Sequence, residues 1–213
     1  MKKALFLSLF LFLFSTLATL GQDIAPKNSL RLGVNLMTIR DVNTIGPHYQ
    51  ARYARHLMSD RLLVGLSLGY FHQNVYQYQG LKPELFTDKN KLRRLTTDLS
   101  VLVDLLPSDQ TALRVGGGLS YWFQSDQIVT GGSYSSTSTG ETYNIQTDWI
   151  EQKGWNSGYH LTLEYEKKLN SHLSIDGSVG WVDIARSQSF SDLRNRVSFY
   201  RSVQAGLSVG YMF

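Results

Sequence analysis

The sequence predicts an all-β protein: an eight-stranded antiparallel up-and-down transmembrane β-barrel. Apolar and small or polar side chains alternate without a break from Phe199 to the final aromatic residue, Phe213, as expected for a strand between lipid and a tight interior. Similar alternating segments recur along the chain between turn residues. Beyond residue 21 no apolar run is long enough for a spanning helix, and the mean hydropathy of the chain is −0.19.

The first 21 residues have the layout of a secretory signal peptide. Two lysines precede an apolar run from Ala4 to Phe14 that is broken only by a serine. Cleavage before Gln22 is expected, because Thr19 and Gly21 then occupy the positions that signal peptidase reads. A retained anchor is the alternative, but the run is short for a spanning helix. Residues 22–213 are predicted to form one barrel domain.

Each predicted strand has one mainly apolar outward row and one inward row of mostly small, polar or charged side chains, which also contains Met37, Leu63, Phe71, Leu102 and Trp122. In chain order the strands are predicted at 30–37, 48–53, 62–71, 95–104, 113–123, 159–166, 173–181 and 202–213. The outward rows of the first four contain Leu30, Leu32, Val34 and Leu36, then Tyr49, Ala51 and Tyr53, then Leu62, Val64, Leu66, Leu68 and Tyr70, then Leu95, Thr97, Leu99, Val101 and Val103. Those of the last four contain Leu113, Val115, Leu119, Tyr121 and Phe123, then Tyr159, Leu161, Leu163 and Tyr165, then Leu173, Ile175, Gly177, Val179 and Trp181, then Val203, Ala205, Leu207, Val209, Tyr211 and Phe213.

The predicted connections alternate in length. They are short after strands two, four and six, and long after strands one, three, five and seven. Such asymmetry is typical of short periplasmic turns and long extracellular loops. Strand eight is expected to pair with strand one, which removes exposed edges. If Leu57 pairs with Leu62 in the hairpin of strands two and three, the same register places Tyr49 beside Tyr70.

Aromatic residues cluster at both ends of the predicted strands, as two interfacial girdles require. The alternative is an ordinary sandwich core. The expected outer ring contains Tyr49, Tyr70, Tyr121, Tyr159, Trp181 and Phe199, and the expected inner ring contains Tyr165, Tyr211 and Phe213.

Through the signal peptide, the alternation and the final strand GLSVGYMF, the chain resembles the small outer-membrane barrels of the OmpA/OmpX type. The resemblance implies a place in the bacterial outer membrane and insertion by the barrel-assembly machinery, with Tyr211 and Phe213 as the assembly signal. It implies no particular activity. Because Phe213 closes the sequence, a separate C-terminal peptidoglycan-binding domain is not expected.

Charged residues on the inward rows predict a filled lumen, because an eight-stranded barrel is only wide enough for its own side chains. Buried charges persist when they are paired, and Asp104 is expected to pair with Arg114 across strands four and five. The predicted luminal charge network contains Arg31, Arg52, Asp98, Asp104, Arg114, Glu164, Glu166 and Asp176.

Within this network, Arg31 and Arg52 are expected to neutralise Glu164 and Asp176 across the lumen. The alternative interpretation of the carboxylates is a gated ion path, which would make the barrel a narrow channel, or an acid–base dyad.

A lipid A acyltransferase or deacylase is the enzyme alternative, because some small outer-membrane barrels carry such activity with a histidine, a serine and an acid. His160 with Ser157 or Ser120, and Asp126 or Asp183, is predicted near the outer rim. The pair His172 and Ser174 points inward at the periplasmic end, away from outer-leaflet lipid. No two histidines have metal-ligand spacing on one strand, and no cofactor is predicted.

The third predicted loop, 124–156, combines hydroxyl side chains with Trp149 and Trp155, a composition common in binding surfaces. A solvated hairpin is the alternative. Arg194 and Arg196 of the fourth loop, like the cations of the second, could pair with lipopolysaccharide phosphates or simply be solvated. The net charge of +4 is too small to indicate a nucleic-acid partner. The sequence therefore predicts a structural or surface-interaction protein in contact with outer-membrane lipid.

Overall fold

The computed structural model describes residues 28–39, 44–75, 90–106, 108, 110–136, 142–185 and 199–213. The predicted signal peptide, 1–21, and the loop residues Arg194 and Arg196 lie outside these residues. The described part contains eight β-strands: β1 (Asn28–Ile39), β2 (Thr44–Leu57), β3 (Leu62–Val75), β4 (Asn90–Asp104), β5 (Thr111–Ser136), β6 (Thr142–Lys168), β7 (Leu173–Ala185) and β8 (Phe199–Met212).

The eight strands form one closed barrel in which every neighbouring pair is antiparallel. Strand β8 pairs with β1, and Asn28 and Phe213 exchange two backbone hydrogen bonds of 2.8 and 2.9 Å. This closure confirms the predicted fold class. The described residues contain no helix that is long and apolar enough to cross a membrane.

The register of β2 and β3 is the predicted one, with Leu57 opposite Leu62 and Tyr49 opposite Tyr70. The turn between these strands contains three consecutive non-glycine residues with positive φ: Met58 at 51°, Ser59 at 55° and Asp60 at 71°. This backbone region is unfavourable for ordinary residues. The tightness of the β2–β3 connection therefore depends on contacts that hold the turn, which are described below.

The turn end is the end of the barrel at which β2 meets β3, β4 meets β5 and β6 meets β7. The opposite end, at which β1 meets β2 and β5 meets β6, is the loop end. The first loop-end connection is shorter than the sequence predicted, because β1 and β2 stay paired as far as Ile39 and Thr44 and leave only 40–43 between them. The predicted third loop, 124–156, is also mostly strand. Backbone pairing of β5 with β6 continues to Ser136 and Thr142 with two irregularities. The sequence did not predict this strand, because its many hydroxyl and glycine residues conceal the alternation of apolar and polar side chains.

This continuation projects from the barrel as a two-stranded arm, residues 128–136 and 142–150. Pairing between β4 and β5 reaches Lys91 and Gln127, and pairing between β6 and β7 begins at Ser157 and Ala185. Beyond these points, the described residues of β5 and β6 pair only with each other. The arm is therefore the part of the described chain that extends farthest from the barrel.

The outward rows are exposed and apolar, as predicted. Leu32 is 62 % exposed, and Leu119 and Leu207 are each 67 % exposed. The aromatic rings also face outward. Tyr159 packs edge-on against Trp181 with ring centroids 5.7 Å apart, so these residues do not form a sandwich core. The side chain of Phe199 is outside the described residues.

The lumen contains two apolar clusters at different heights, with polar and charged residues between them. These clusters were not predicted from the sequence, because their residues alternate with apolar residues of the outward rows, so that both faces of the strand are apolar there and the period of two is obscured. Near the turn end the cluster is Ala54, Leu63 and Leu102. Towards the loop end it is Met37, Ile39, Phe71, Leu92, Trp122, Val182 and Ile184.

Candidate functional site

Glu164 lies at the centre of an ion-pair network in the lumen. Its carboxylate accepts hydrogen bonds from Arg31 and Arg52, and Arg114 Nη1 lies 3.2 Å from Glu164 Oε1. Arg31, Arg114 and Glu164 are each at most 1 % exposed. Three arginines from three different strands therefore neutralise one carboxylate that has no access to solvent.

Glu166, two residues along the same inward row, joins the network to a second carboxylate. It accepts hydrogen bonds from Arg114 and from Arg31, with 2.6 Å between Arg31 Nη2 and Glu166 Oε2. Arg31 Nη1 also lies 3.6 Å from Asp176 Oδ2 on β7. Three guanidinium groups thus face three carboxylates, and five strands are connected through the lumen. Buried charges are tolerated when they are paired in this way.

Two members of the predicted network lie elsewhere. Asp104 is opposite Arg114 in the ladder, but the predicted ion pair does not form, because Arg114 extends into the lumen towards the glutamates. Asp104 Oδ1 instead accepts hydrogen bonds from the backbone N–H groups of Leu106 and Leu113, at 3.1 and 3.0 Å. A short side chain at the rim caps its own turn more readily than it reaches the lumen centre. Asp98 lies higher in the lumen and accepts a 3.3 Å hydrogen bond from Trp122 Nε1.

A second polar network, which the sequence analysis missed, lies nearer the loop end. Arg94 pairs with Asp126, and Gln124 Nε2 donates a 2.7 Å hydrogen bond to Asp126 Oδ2. All three are buried. Arg94 was one of the cations predicted in the second loop, and Asp126 was predicted as an acid of the enzyme alternative. The available signal was the alternation itself: extending strand four by one residue at its start and strand five by three residues at its end places both side chains on the inward rows.

His160 lies inside the lumen, whereas the sequence analysis placed it near the outer rim. Its Nε2 lies 2.9 Å from Ser100 Oγ and its Nδ1 lies 2.9 Å from Ser120 Oγ. The imidazole is enclosed because β6 continues past it into the arm, and His160 is only 5 % exposed. Ser157 is exposed and belongs to the outward row.

The acids proposed for this histidine have other partners. Asp126 pairs with Arg94, and Asp183 Oδ2 lies 3.5 Å from Arg201 Nε. The luminal cavity next to His160 has a volume of about 40 Å³, room for one or two water molecules. The predicted serine–histidine–acid arrangement therefore does not assemble, and this cavity is too small for an acyl chain.

No protein-family model and no curated protein sequence matches the chain. Solved structures do match it. A major outer membrane protein from Thermus thermophilus is 18 % identical, with a TM-score of 0.58 over 89 % of this chain and 100 % of that chain. Neisserial surface protein A is 11 % identical, with a TM-score of 0.54 over 88 % and 97 %. Ail of Yersinia pestis is 9 % identical, with a TM-score of 0.52 over 89 % and 100 %.

The chain has the fold of a small eight-stranded outer-membrane β-barrel. In this fold the turn end faces the periplasm and the loop end faces the cell exterior.

At the turn end of the barrel, the β2–β3 turn is held by side chains. Lys168 Nζ on β6 donates a 2.9 Å hydrogen bond to Asp60 Oδ2. His56 Nδ1 lies 3.4 Å from Asp60 Oδ1, and His56 Nε2 lies 2.9 Å from Ser29 Oγ. The approach of His56, followed by that of Lys168, holds the pKa of the Asp60 carboxyl well below its usual range. These contacts stabilise the left-handed backbone of the turn.

The arm carries one of the two tryptophans predicted for ligand binding, Trp149 and Trp155. Trp149 is 39 % exposed, and Lys91 Nζ lies 5.7 Å from the centroid of its ring. Ile150 follows on the opposite face and is 43 % exposed. Trp155 lies lower, in the outer aromatic ring, where it stacks on Tyr121 with centroids 4.8 Å apart. Only Trp149 is therefore placed well beyond the membrane-facing wall.

The predicted assembly signal lies at the periplasmic end of β8. Tyr211 and Phe213 are 51 % and 60 % exposed and their rings lie 6.2 Å apart on the outer wall. Tyr53, which the sequence analysis did not assign to a ring, is 46 % exposed at the same end and donates a 2.8 Å hydrogen bond to Asn28 Oδ1. Their role in assembly stays a prediction.

Proposed function

We propose that this protein is a structural and surface-interaction protein of the bacterial outer membrane, which binds an extracellular partner through its arm. The observation that carries the proposal is the exposure of Trp149. From Trp155 in the aromatic ring to Trp149 is six residues, or about 20 Å along an extended strand. A tryptophan held at this distance from the membrane is exposed to water unless a partner covers it.

The surroundings of Trp149 support binding. Large aromatic residues at protein surfaces frequently dominate binding energy, and loops that bind ligands combine them with small hydroxyl residues. Lys91 presents a cation beside the ring. The solved complex of Ail with the heparin analogue sucrose octasulfate gives a first ligand to test, a sulfated glycan. Such a glycan would contact Lys91 through its charge and Trp149 through its sugar rings.

The ion-pair network supports a closed lumen. Three guanidinium groups and three carboxylates meet in the lumen, so the charges of the network are internally balanced: Arg31, Arg52 and Arg114 face Glu164, Glu166 and Asp176. A narrow channel would require these groups to separate, which leaves buried charges unpaired. A lipid A-modifying enzyme has less support, because Ser120 and His160 face the lumen while acyl chains of outer-leaflet lipid lie outside the wall.

Three further parts of the proposal concern the route to the membrane and the surroundings there. Export depends on a signal peptide removed before residue 22. Insertion depends on the barrel-assembly machinery, which reads the strand ending in Tyr211 and Phe213. In the membrane, outer-membrane lipid and lipopolysaccharide surround the wall.

Binding of heparin and of biotinylated cell-surface protein to the reconstituted full chain tests the arm. Trp149→Ala is expected to weaken binding about thirtyfold, the effect of losing about 2 kcal/mol at a binding hot spot. Trp155→Ala is the matched control, because that ring belongs to the membrane interface, and it should leave binding unchanged. Equal losses in the two variants, or no binding to either probe by the unmodified chain, would contradict the surface-interaction role.

A further inference from the structure

An apolar groove lies on the membrane-facing wall below the extracellular end. This wall groove has a volume of about 670 Å³, and its lining is almost entirely apolar. Ala51 lies between Leu32 of β1 and Leu68 of β3 in the ladder, so a small side chain is flanked by two large ones. The groove's upper end is formed by Tyr49, Tyr70 and Leu95.

Arg93 lies directly above this groove. Tyr70 and Leu95 are opposite each other, and the next pair on the same face of the sheet is His72 and Arg93. Arg93 is exposed, and its backbone N–H lies 3.3 Å from Asp126 Oδ1. A cation at this height lies where the phosphates of outer-leaflet lipids are found, just beyond the hydrocarbon.

Arg93 differs from the other arginine and lysine side chains that point outward above the aromatic ring. Lys153 Nζ lies 2.6 Å from Glu151, Arg201 lies 3.5 Å from Asp183, and Lys91 contacts Trp149. Among the described residues, none pairs with the guanidinium of Arg93.

We propose that Arg93 and the wall groove bind a phosphorylated lipid of the outer leaflet, with the headgroup phosphate at Arg93 and one acyl chain over Ala51. The proposal rests on the outer-membrane location proposed above. Guanidinium groups bind phosphate through paired charge-assisted hydrogen bonds. The apolar groove directly below favours a lipid over a free phosphate, because only a lipid occupies both parts.

The test uses the full chain, folded in a neutral detergent, with native mass spectrometry of bound lipid. Three probes separate the parts of the ligand: phosphorylated lipid A, the same lipid without phosphates, and a soluble glucosamine phosphate without acyl chains. The unmodified chain is expected to retain the phosphorylated lipid best. Equal retention of the lipid without phosphates, or equal binding of the soluble phosphate, would overturn the proposal.

Two variants with matched controls locate the site. Arg93→Gln is expected to lower retention of the phosphorylated lipid about fivefold, the effect of one cation near an anionic headgroup. Lys153→Gln, which removes an outward cation that already has a partner, should not lower it. Equal losses would show unspecific charge attraction and overturn the proposal.

Ala51→Leu fills the groove and is expected to weaken binding of both lipid forms, whereas Ala205→Leu on the outward row of β8 is the control. Heat-modifiable migration on gels verifies folding, and Ala51→Val replaces Ala51→Leu should the larger residue prevent it. Unchanged lipid binding by a folded Ala51 variant would overturn the proposal that an acyl chain lies in the wall groove. Because binding is measured in detergent, failure of the outer-membrane location would appear separately, in cell fractionation.

Discussion

Lys168 and Asp60 form an ion pair across the mouth of the barrel at the turn end, with 2.9 Å between Lys168 Nζ and Asp60 Oδ2. Lys168 ends β6, while Asp60 belongs to the β2–β3 turn, and these elements lie on opposite walls of an eight-stranded barrel. The pair can therefore form only because the turn folds inward. The inward bend of the turn is produced by the positive φ angles of Met58, Ser59 and Asp60.

Disrupting this pair is expected to loosen the periplasmic mouth. Asp60→Asn or Lys168→Met should each lower the free energy of unfolding by about 1 kcal/mol, because the two side chains are partly screened by solvent. The double variant should lose less than the sum of the two. Urea unfolding in lipid vesicles measures this coupling, and full additivity would contradict the pair's contribution.

The stabilisation by Asp60 has a defined pH dependence. Its pKa is lower in the folded protein than in the unfolded chain, so the stabilisation is complete above the ordinary pKa of about 3.9 and is lost as the pH falls towards the folded value. The difference in unfolding free energy between the unmodified chain and Asp60→Asn should be constant from about pH 7 to about pH 5 and shrink below about pH 4. A difference that shrinks already between pH 7 and 5 would assign the effect to another group.

Among the luminal residues, Glu164 is expected to lose the most folding stability when it is substituted. Glu164→Gln leaves Arg31 and Arg52 without their shared carboxylate in a buried site, which costs about 3–5 kcal/mol. The temperature at which the folded band disappears on gels should therefore fall steeply. Glu151→Gln is the control, because the Glu151–Lys153 pair is about half exposed and worth little. Similar effects of both variants would contradict the central place of Glu164.

Gly118 is expected to be indispensable for closure between β4 and β5. A Cβ built at this position lies 1.7 Å from the carbonyl oxygen of Leu99, which is backbone and cannot move aside. Gly118→Ala should reduce the heat-modifiable, folded fraction sharply. Gly154→Ala on β6 is the matched control, because a Cβ there meets nothing within 4 Å. A fully folded Gly118→Ala protein would show that the ladder can widen locally.

The Ser120–His160 contact is expected to be structural. Ser120→Ala should leave the mass spectrum of lipid A from expressing cells unchanged and lower stability by about 1 kcal/mol, the value of one buried hydrogen bond. A lipid A modification present with the unmodified chain and absent with Ser120→Ala would establish the enzyme alternative. An unchanged stability would contradict the structural role.

The fold could be predicted from the sequence because each strand of a barrel wall alternates between apolar outward and mostly polar inward side chains. This alternation can be recognised in a single strand without knowing which strand pairs with it. The pairing of Tyr49 with Tyr70 followed from counting residues back from one tight turn. The arm could not be predicted in this way, since ladder hydrogen bonds hold it and its side chains carry no apolar row. The sequence also did not indicate that Arg114 pairs with Glu164 and Glu166, because a long side chain in a narrow lumen can reach acids on several strands.

Accessibility of two serines from outside intact cells tests the central claim, an outer-membrane barrel with an extracellular arm, most directly. The chain has no cysteine, so Ser133→Cys on the arm and Ser171→Cys in the β6–β7 turn each introduce one thiol. Both positions are exposed. A membrane-impermeant maleimide should label the thiol at 133 on intact cells, and the thiol at 171 only after the outer membrane is permeabilised. Labelling of both or of neither on intact cells would contradict the account.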